Sequence, residues 1–123
     1  MIKNLLIVAL GGGTGSMLRY VIQKTMQPQS MSAFPAGTFL INIAGCFLIG
    51  LLWGLFYKTE NWGDEMKLLL MPGLCGGFTT FSAFTLEGIG LLKENKTGLF
   101  LAYIAASVLL GLLATYFGMR LVK

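Results

Sequence analysis

The residues of this chain whose types and spacing could do chemistry crowd into one stretch, Gly73-Leu-Cys-Gly-Gly-Phe-Thr-Thr-Phe-Ser-Ala-Phe-Thr85. Three glycines, four hydroxyl side chains and three phenylalanines fall within these thirteen residues. The chemistry open to such a set is solvation rather than bond making. Carbonyls freed from a helix bind cations, while freed amides and hydroxyls face anions. Aromatic rings carry a negative face and a positive edge. Phe81 and Phe84 are three residues apart and share one helical face, interleaved with Ser82 and Thr85. Ring edges on that face can approach a small anion without the tight grip of a full positive charge.

Other polar residues stand alone in apolar surroundings. Thr38, Asn42 and Cys46 repeat every four residues and share a face. Asn42 has two roles open to it, as hydrogen-bonding glue between helices or as a donor to something passing through. Tyr103 and Ser107 are again four apart and line a polar track or serve the interface. Arg19 either snorkels to the interface or lends positive potential to an anion entrance. Glu87 follows the phenylalanines by a turn and reads as an acid near a helix end. Cys46 and Cys75 are two lone thiols, which read as small apolar residues rather than a metal site or a disulfide.

The elements that must position these residues are membrane helices. Of 123 residues, 55% are hydrophobic and 11% charged, against about 25% charged in a soluble domain. Hydrophobic segments run over residues 4–24, 34–57, 66–92 and 97–122, each meeting the ~20 residues that cross a bilayer. The expectation is an all-α integral membrane protein, one four-helix transmembrane domain over residues 1–123. The third helix is expected to break mid-membrane near Gly76–Thr80, since glycine weakens a helix by ~1 kcal/mol and threonine is a modest former. Irregular chain at that depth survives only where protein or a water-filled path shields it. Gly11 and Gly15, and Gly50 and Gly54, are spaced for close helix contact. Residues 27–32 read as a polar turn, with Pro35 suited to a first helical turn. The first segment, with Arg19 inside it and no small-residue cleavage site, reads as a span and not a cleaved signal.

Four spans put both termini on one side. Lys3, Lys58, Lys67, Arg120 and Lys123 share it; Lys24, Lys93 and Lys96 lie opposite, with Arg19 near them. Five against four barely biases orientation. Either the first helix settles it, or copies insert both ways and pair antiparallel about an axis in the membrane plane. Four helices alone hardly enclose a polar path, which favours an oligomer.

Several classes are excluded. The net charge of +4 comes from basic residues scattered at helix ends, which anchor a membrane protein rather than bind nucleic acid. With no histidine, no base-supported nucleophile and no mid-membrane carboxylate pair, the chain does not read as an enzyme. Proton-coupled transport usually uses an ionisable residue inside the membrane, and the first, second and fourth spans hold no acid. Neutral donors suit passive conduction of a small, strongly hydrated anion, because they replace water without trapping the ion.

The run Gly76-Gly-Phe-Thr-Thr-Phe-Ser-Ala-Phe-Thr85 resembles the signature of the CrcB/Fluc fluoride channels. Gly12-Gly-Thr-Gly15 with Leu18-Arg19-Tyr20, and Gly37-Thr-Phe-Leu-Ile-Asn42, match as well, and the likeness spans essentially the whole chain. The resemblance implies a dual-topology antiparallel homodimer in the cell (inner) membrane, with two parallel pores that export cytoplasmic fluoride and relieve its toxicity. It implies that Phe81 and Phe84 line the pores with their ring edges and that Asn42 reaches toward the same path. Gly76 and Thr79 match positions whose backbone carbonyls, from both subunits, hold a structural sodium ion on the two-fold axis. Thr38, Ser82, Tyr103 and Ser107 match a polar track. Arg19 matches a basic residue near the pore entrance and Glu87 an acid after the phenylalanines. The chain departs from many relatives at Ala83, where they carry a hydroxyl residue, and from some at Gly111, where they carry serine. A small multidrug-type antiporter is the main rival, but it calls for an acid in the first helix. An accessory subunit that only packs against a larger complex is the other.

Overall fold

The computed structural model describes residues 1–26, 34–59 and 62–122; the turn expected at 27–32, Glu60 and Lys123 lie outside them. Its elements are α1 (Ile2–Thr25), α2 (Ala36–Thr59), α3 (Asp64–Leu68), a π-helical turn (Leu69–Cys75), α4 (Gly76–Phe78), α5 (Phe81–Lys93) and α6 (Thr97–Leu121). No strand occurs among the described residues. Four helical stretches are long and apolar enough to cross a membrane: α1, most of α2, the run Asp64–Lys93, and α6. Pro35 sits just outside α2, and its carbonyl accepts the Phe39 amide at 3.1 Å.

Lipid offers no hydrophobic drive between helices, so contact depends on how closely backbones approach. α2 and α6 meet along glycines from both sides. A Cβ on Gly50 would collide with the Thr115 backbone, and one on Gly118 would lie 2.8 Å from the Leu51 amide nitrogen. At this seam Thr115 donates from its hydroxyl to the Cys46 carbonyl at 3.0 Å. α1 crosses the third span in the same way. A Cβ on Gly15 would lie 2.8 Å from the Phe78 amide nitrogen, and one on Gly77 would lie 2.9 Å from the Gly12 backbone.

The third span owes its irregular course to Pro72. Proline removes a helical donor and clashes with the preceding turn, which costs ~3 kcal/mol in an α-helix interior. Here the strain is taken up by the seven-residue π turn around it. Such wide turns recur at functional sites. Past the π turn and α4 the chain stops being helical for two residues. Thr79 (φ −84°, ψ 156°) and Thr80 (φ −146°, ψ 120°) are extended, and α5 starts at Phe81. The break therefore falls on threonines rather than on the glycines. No described glycine has positive φ, and Gly73 and Gly77 serve close approach to α1. β-Branched residues suit extended backbone.

Lys3 pairs with Glu65 at 2.6 Å, and Lys58 donates to the Val122 carbonyl. These contacts gather both chain ends and the α2–α3 connection at one end of the bundle. At the other end Asn95, in the left-handed region (φ 60°), turns α5 into α6. The Asn95 and Lys96 amides close that helix end on the Leu92 and Leu91 carbonyls, at 3.0 and 2.8 Å.

Candidate functional site: a clefted helix break

The break is closed by side chains from other helices. Asn42 of α2 donates from Nδ2 to the Thr80 carbonyl at 3.1 Å and accepts the Thr80 amide on Oδ1 at 2.9 Å. Thr80 also caps α5, its hydroxyl accepting the Ala83 amide at 3.2 Å. On the other side of the break Thr79 donates to the Cys75 carbonyl at 2.9 Å. Asn42 is thus the helix glue that its position allowed, bound to backbone rather than to a second side chain.

These diversions have an electrostatic result. In an unbroken α-helix the carbonyl of residue i accepts the amide of i+4. The Thr80 amide would fall to Gly76 and the Ala83 amide to Thr79. Asn42 takes the first donor and the Thr80 hydroxyl takes the second. The Gly76 and Thr79 carbonyls, the two singled out by resemblance, are therefore both among those that lose their helical donors. Hard oxygen donors of this kind suit a hard cation. Among the described residues no group of three or more His, Cys, Asp or Glu side chains is placed to hold a metal.

Beside the break lies an open apolar cleft of about 720 Å³. Asn42, Gly76, Thr79, Phe81, Phe84 and Ser107 all line it. Phe81 is 77% exposed, an unusual position for the best-placed ring of a site. The Phe81 and Phe84 centroids are 5.8 Å apart, and Phe84 lies 5.0 Å from Tyr103, which meets Phe34 edge-on at 5.4 Å. An aromatic file thus leads from the exposed cleft into the buried interior. The Ser107 hydroxyl is buried without a hydrogen-bond partner among the described residues. Such an atom costs about 1–3 kcal/mol unless something meets it.

The file ends on a polar cluster. Glu87 accepts the Thr38 hydroxyl at 2.9 Å and the Tyr103 hydroxyl at 3.2 Å. Gln23 of α1 donates in turn to the Thr38 hydroxyl at 3.1 Å. Thr38 is 1% exposed and Tyr103 fully buried. Glu87 is thus half-buried inside the bundle, not the exposed helix-end acid that its sequence position suggested. Two hydroxyl donors and the packing of α5 on α6 hold it there. Ser82 stays at the surface, 3.4 Å from the Thr80 hydroxyl. Arg19 lies on the α1 side of the break, with Nε 3.1 Å from the Gly77 carbonyl.

The structure brings most of the candidates into two groups joined by rings: the cleft set and the Thr38–Glu87–Tyr103 cluster. Sequence reasoning missed Thr80 and Gln23. A hydroxyl residue just before an apolar helix is a capping signal, and an amide in an apolar span seldom lacks a partner; both could have found them.

A multi-pass α-helical membrane protein with a broken third helix and an aromatic, hydroxyl-lined cleft is the class that this fold and site define. The chain belongs to the family described as CrcB-like protein, Camphor Resistance (CrcB), which matches residues 6–119. It is 46% identical over 121 residues to a protein of Flavobacterium psychrophilum named fluoride-specific ion channel FluC, covering 98% of each chain. A protein of the same name from Phocaeicola vulgatus is 46% identical over 116 residues, covering 94% of this chain and 95% of its own. Another, from Methylobacillus flagellatus, is 44% identical over 121 residues, covering 98% and 94%.

Proposed function

We propose that this chain is a fluoride-selective passive channel that carries the anion out of the cytoplasm across the cell (inner) membrane and so protects against its toxicity. The observation that carries this reading is the cleft in which Asn42, Phe81, Phe84 and Ser107 meet, in a chain so close to proteins named fluoride-specific ion channels. The path offers an amide, hydroxyls and ring edges. These can replace the hydration shell of a small anion in steps, none strong enough to hold it. Beyond Phe84, the Tyr103 and Thr38 hydroxyls carry the polar track inward, each giving its one proton to Glu87. Ala83 brings no hydroxyl to the face between the two rings, which leaves Ser82, Thr80 and Ser107 to supply them.

The proposed working unit is an antiparallel homodimer with two pores. The open cleft and the exposed face of Phe81 leave a surface for a second copy to cover, which supports this assembly, as does the five-to-four balance of basic residues. The Gly76 and Thr79 carbonyls of both chains would hold a structural sodium ion on the axis. The chemistry that ion would supply is charge to balance the carbonyl oxygens. Asn42 and Thr80 do this chain's part by drawing off the competing amides. No chemical transformation enters this function.

The test is fluoride efflux from liposomes holding the purified protein, followed with a fluoride electrode. A potassium gradient with valinomycin supplies the voltage, worth ~2.3 kcal/mol per charge per 100 mV, and chloride is the parallel control. Release of fluoride without chloride is expected. Absence of release from folded dimers overturns the reading, and release that follows a proton gradient but not voltage replaces it with coupled transport.

A further inference from the structure

Arg19 is the charged residue of α1 placed against the break in the third span. Its geometry shows a contact that neither snorkelling nor an anion entrance calls for. The engaged atom is Nε, the inner nitrogen of the guanidinium, and it lies 3.1 Å from the Gly77 carbonyl. The side chain is therefore laid across the break rather than stretched to the interface. Ser16, one turn earlier on the same face of α1, points its hydroxyl at the same carbonyl from 3.5 Å. The reach of both side chains depends on the backbone contact of Gly12 with Gly77 and of Gly15 with Phe78.

The Gly77 carbonyl needs such a donor. In an unbroken helix it would accept the Phe81 amide. Thr79 and Thr80 are extended, and each extended residue advances the chain by about 1.8 Å more than a helical one. The Phe81 amide is carried away by about 3.6 Å on this count. The neighbouring Gly76 and Thr79 carbonyls also lose their helical donors, but those lie on the cleft side. Gly77 faces α1, away from any cation the cleft could hold.

We propose that Arg19 is a positioning residue that keeps the break open by standing in for the Phe81 amide on the Gly77 carbonyl. Its hydrogen bond, not its charge, is what the site uses. It removes the one carbonyl of the break that would otherwise pull the Phe81 amide back into helix. The part of this inference that concerns flux rests on the channel reading above, whereas the local geometry does not.

Side-chain lengths make the test decisive. Glutamine carries its Nε2 the same number of bonds from Cα as arginine carries Nε, but it has no charge. Lysine keeps the charge and places its nitrogen one bond further out. Methionine fills the space with neither donor nor charge. Arg19→Gln, Arg19→Lys and Arg19→Met are compared by fluoride efflux and by amide hydrogen exchange of the segment 76–85, with peptides from α2 and α6 as references. Arg19→Gln is expected to stay within about threefold of the parent in efflux and to match its exchange. Arg19→Met is expected to lose efflux more than tenfold and to exchange at least tenfold faster at the break alone. Native behaviour of Arg19→Lys together with failure of Arg19→Gln overturns the proposal in favour of charge. Native behaviour of Arg19→Met overturns it outright. Should Arg19→Met not fold, the contrast of glutamine with lysine decides. A parent protein that passes no fluoride, yet shows this exchange pattern, rejects the channel reading and leaves Arg19 in its place.

Discussion

Asn42 closes the break with two hydrogen bonds, and its substitution acts on the break and on the path together. Asn42→Asp keeps an acceptor for the Thr80 amide but sets a second oxygen against the Thr80 carbonyl, where Nδ2 now donates. It also brings a negative charge to an anion path. Fluoride efflux in liposomes is expected to fall at least tenfold. Phe81→Ile probes the ring without the scaffold. With 77% of Phe81 exposed in the single chain, little of the monomer's packing depends on it. Efflux is expected to drop at least tenfold while the circular dichroism spectrum and the dimer peak on gel filtration are kept. Loss of the dimer peak instead would assign Phe81 to the interface between copies rather than to the path. Each residue-scale outcome follows from what the side chain touches, not from the name of its family.

At the scale of elements, the glycines divide into those that touch another backbone and those that do not. A Cβ at Gly77 would lie 2.9 Å from the Gly12 backbone, whereas one at Gly13 meets nothing within 4 Å. Gly77→Val is expected to destabilise the folded state by about 1–3 kcal/mol or more through overpacking. Gly13→Ala is expected to be neutral or to stabilise by up to about 1 kcal/mol, since alanine is the better helix former. Thermal unfolding in detergent checks both; equal shifts would show that α1 does not pack as described. The same glycines mark how far the sequence could be read. Four spans, the contacts of Gly15 and Gly50 and the broken third helix were legible from hydropathy and spacing. The break was legible as a stretch near Gly76–Thr80, but not which of its residues leave the helix, because glycine weakens a helix only as a propensity. Here Gly73, Gly76 and Gly77 are helical, and the extended pair is Thr79–Thr80. The embedding of Glu87 was equally hidden. An acid six residues before Lys93 reads as a helix end, and only the hydroxyls of Thr38 and Tyr103, supplied by other helices, hold it inside.

For the whole molecule, the near balance of basic residues becomes an experiment. Asp64→Lys with Glu65→Lys raises the terminal side from five to seven and leaves four opposite. The ion pair with Lys3 that this removes is exposed and worth at most about 1 kcal/mol. A tag on one terminus is expected to report a single orientation, with homodimer and efflux both lost. Co-expression with a chain biased the other way by Glu94→Lys and Thr97→Lys is expected to restore efflux. Retained activity in a chain of one orientation would remove the antiparallel pair. Sodium is tested at this scale too. Exchange of sodium for a bulky organic cation is expected to lower the thermal midpoint of the dimer in detergent, and an unchanged midpoint would leave the carbonyl site without a structural ion.

The amide embrace between Asn42 and Thr80 has a further consequence. The interruption in the third span is not written in the third span alone. Closing groups sit on α1 and α2, while Thr79 and Thr80 contribute from within. Cut free as a peptide of residues 64–93 in micelles, that stretch is expected to become helical across Thr79 and Thr80, keeping only the irregular turn at Pro72. The gap is a late product of assembly, present only once its neighbours have arrived to hold it apart.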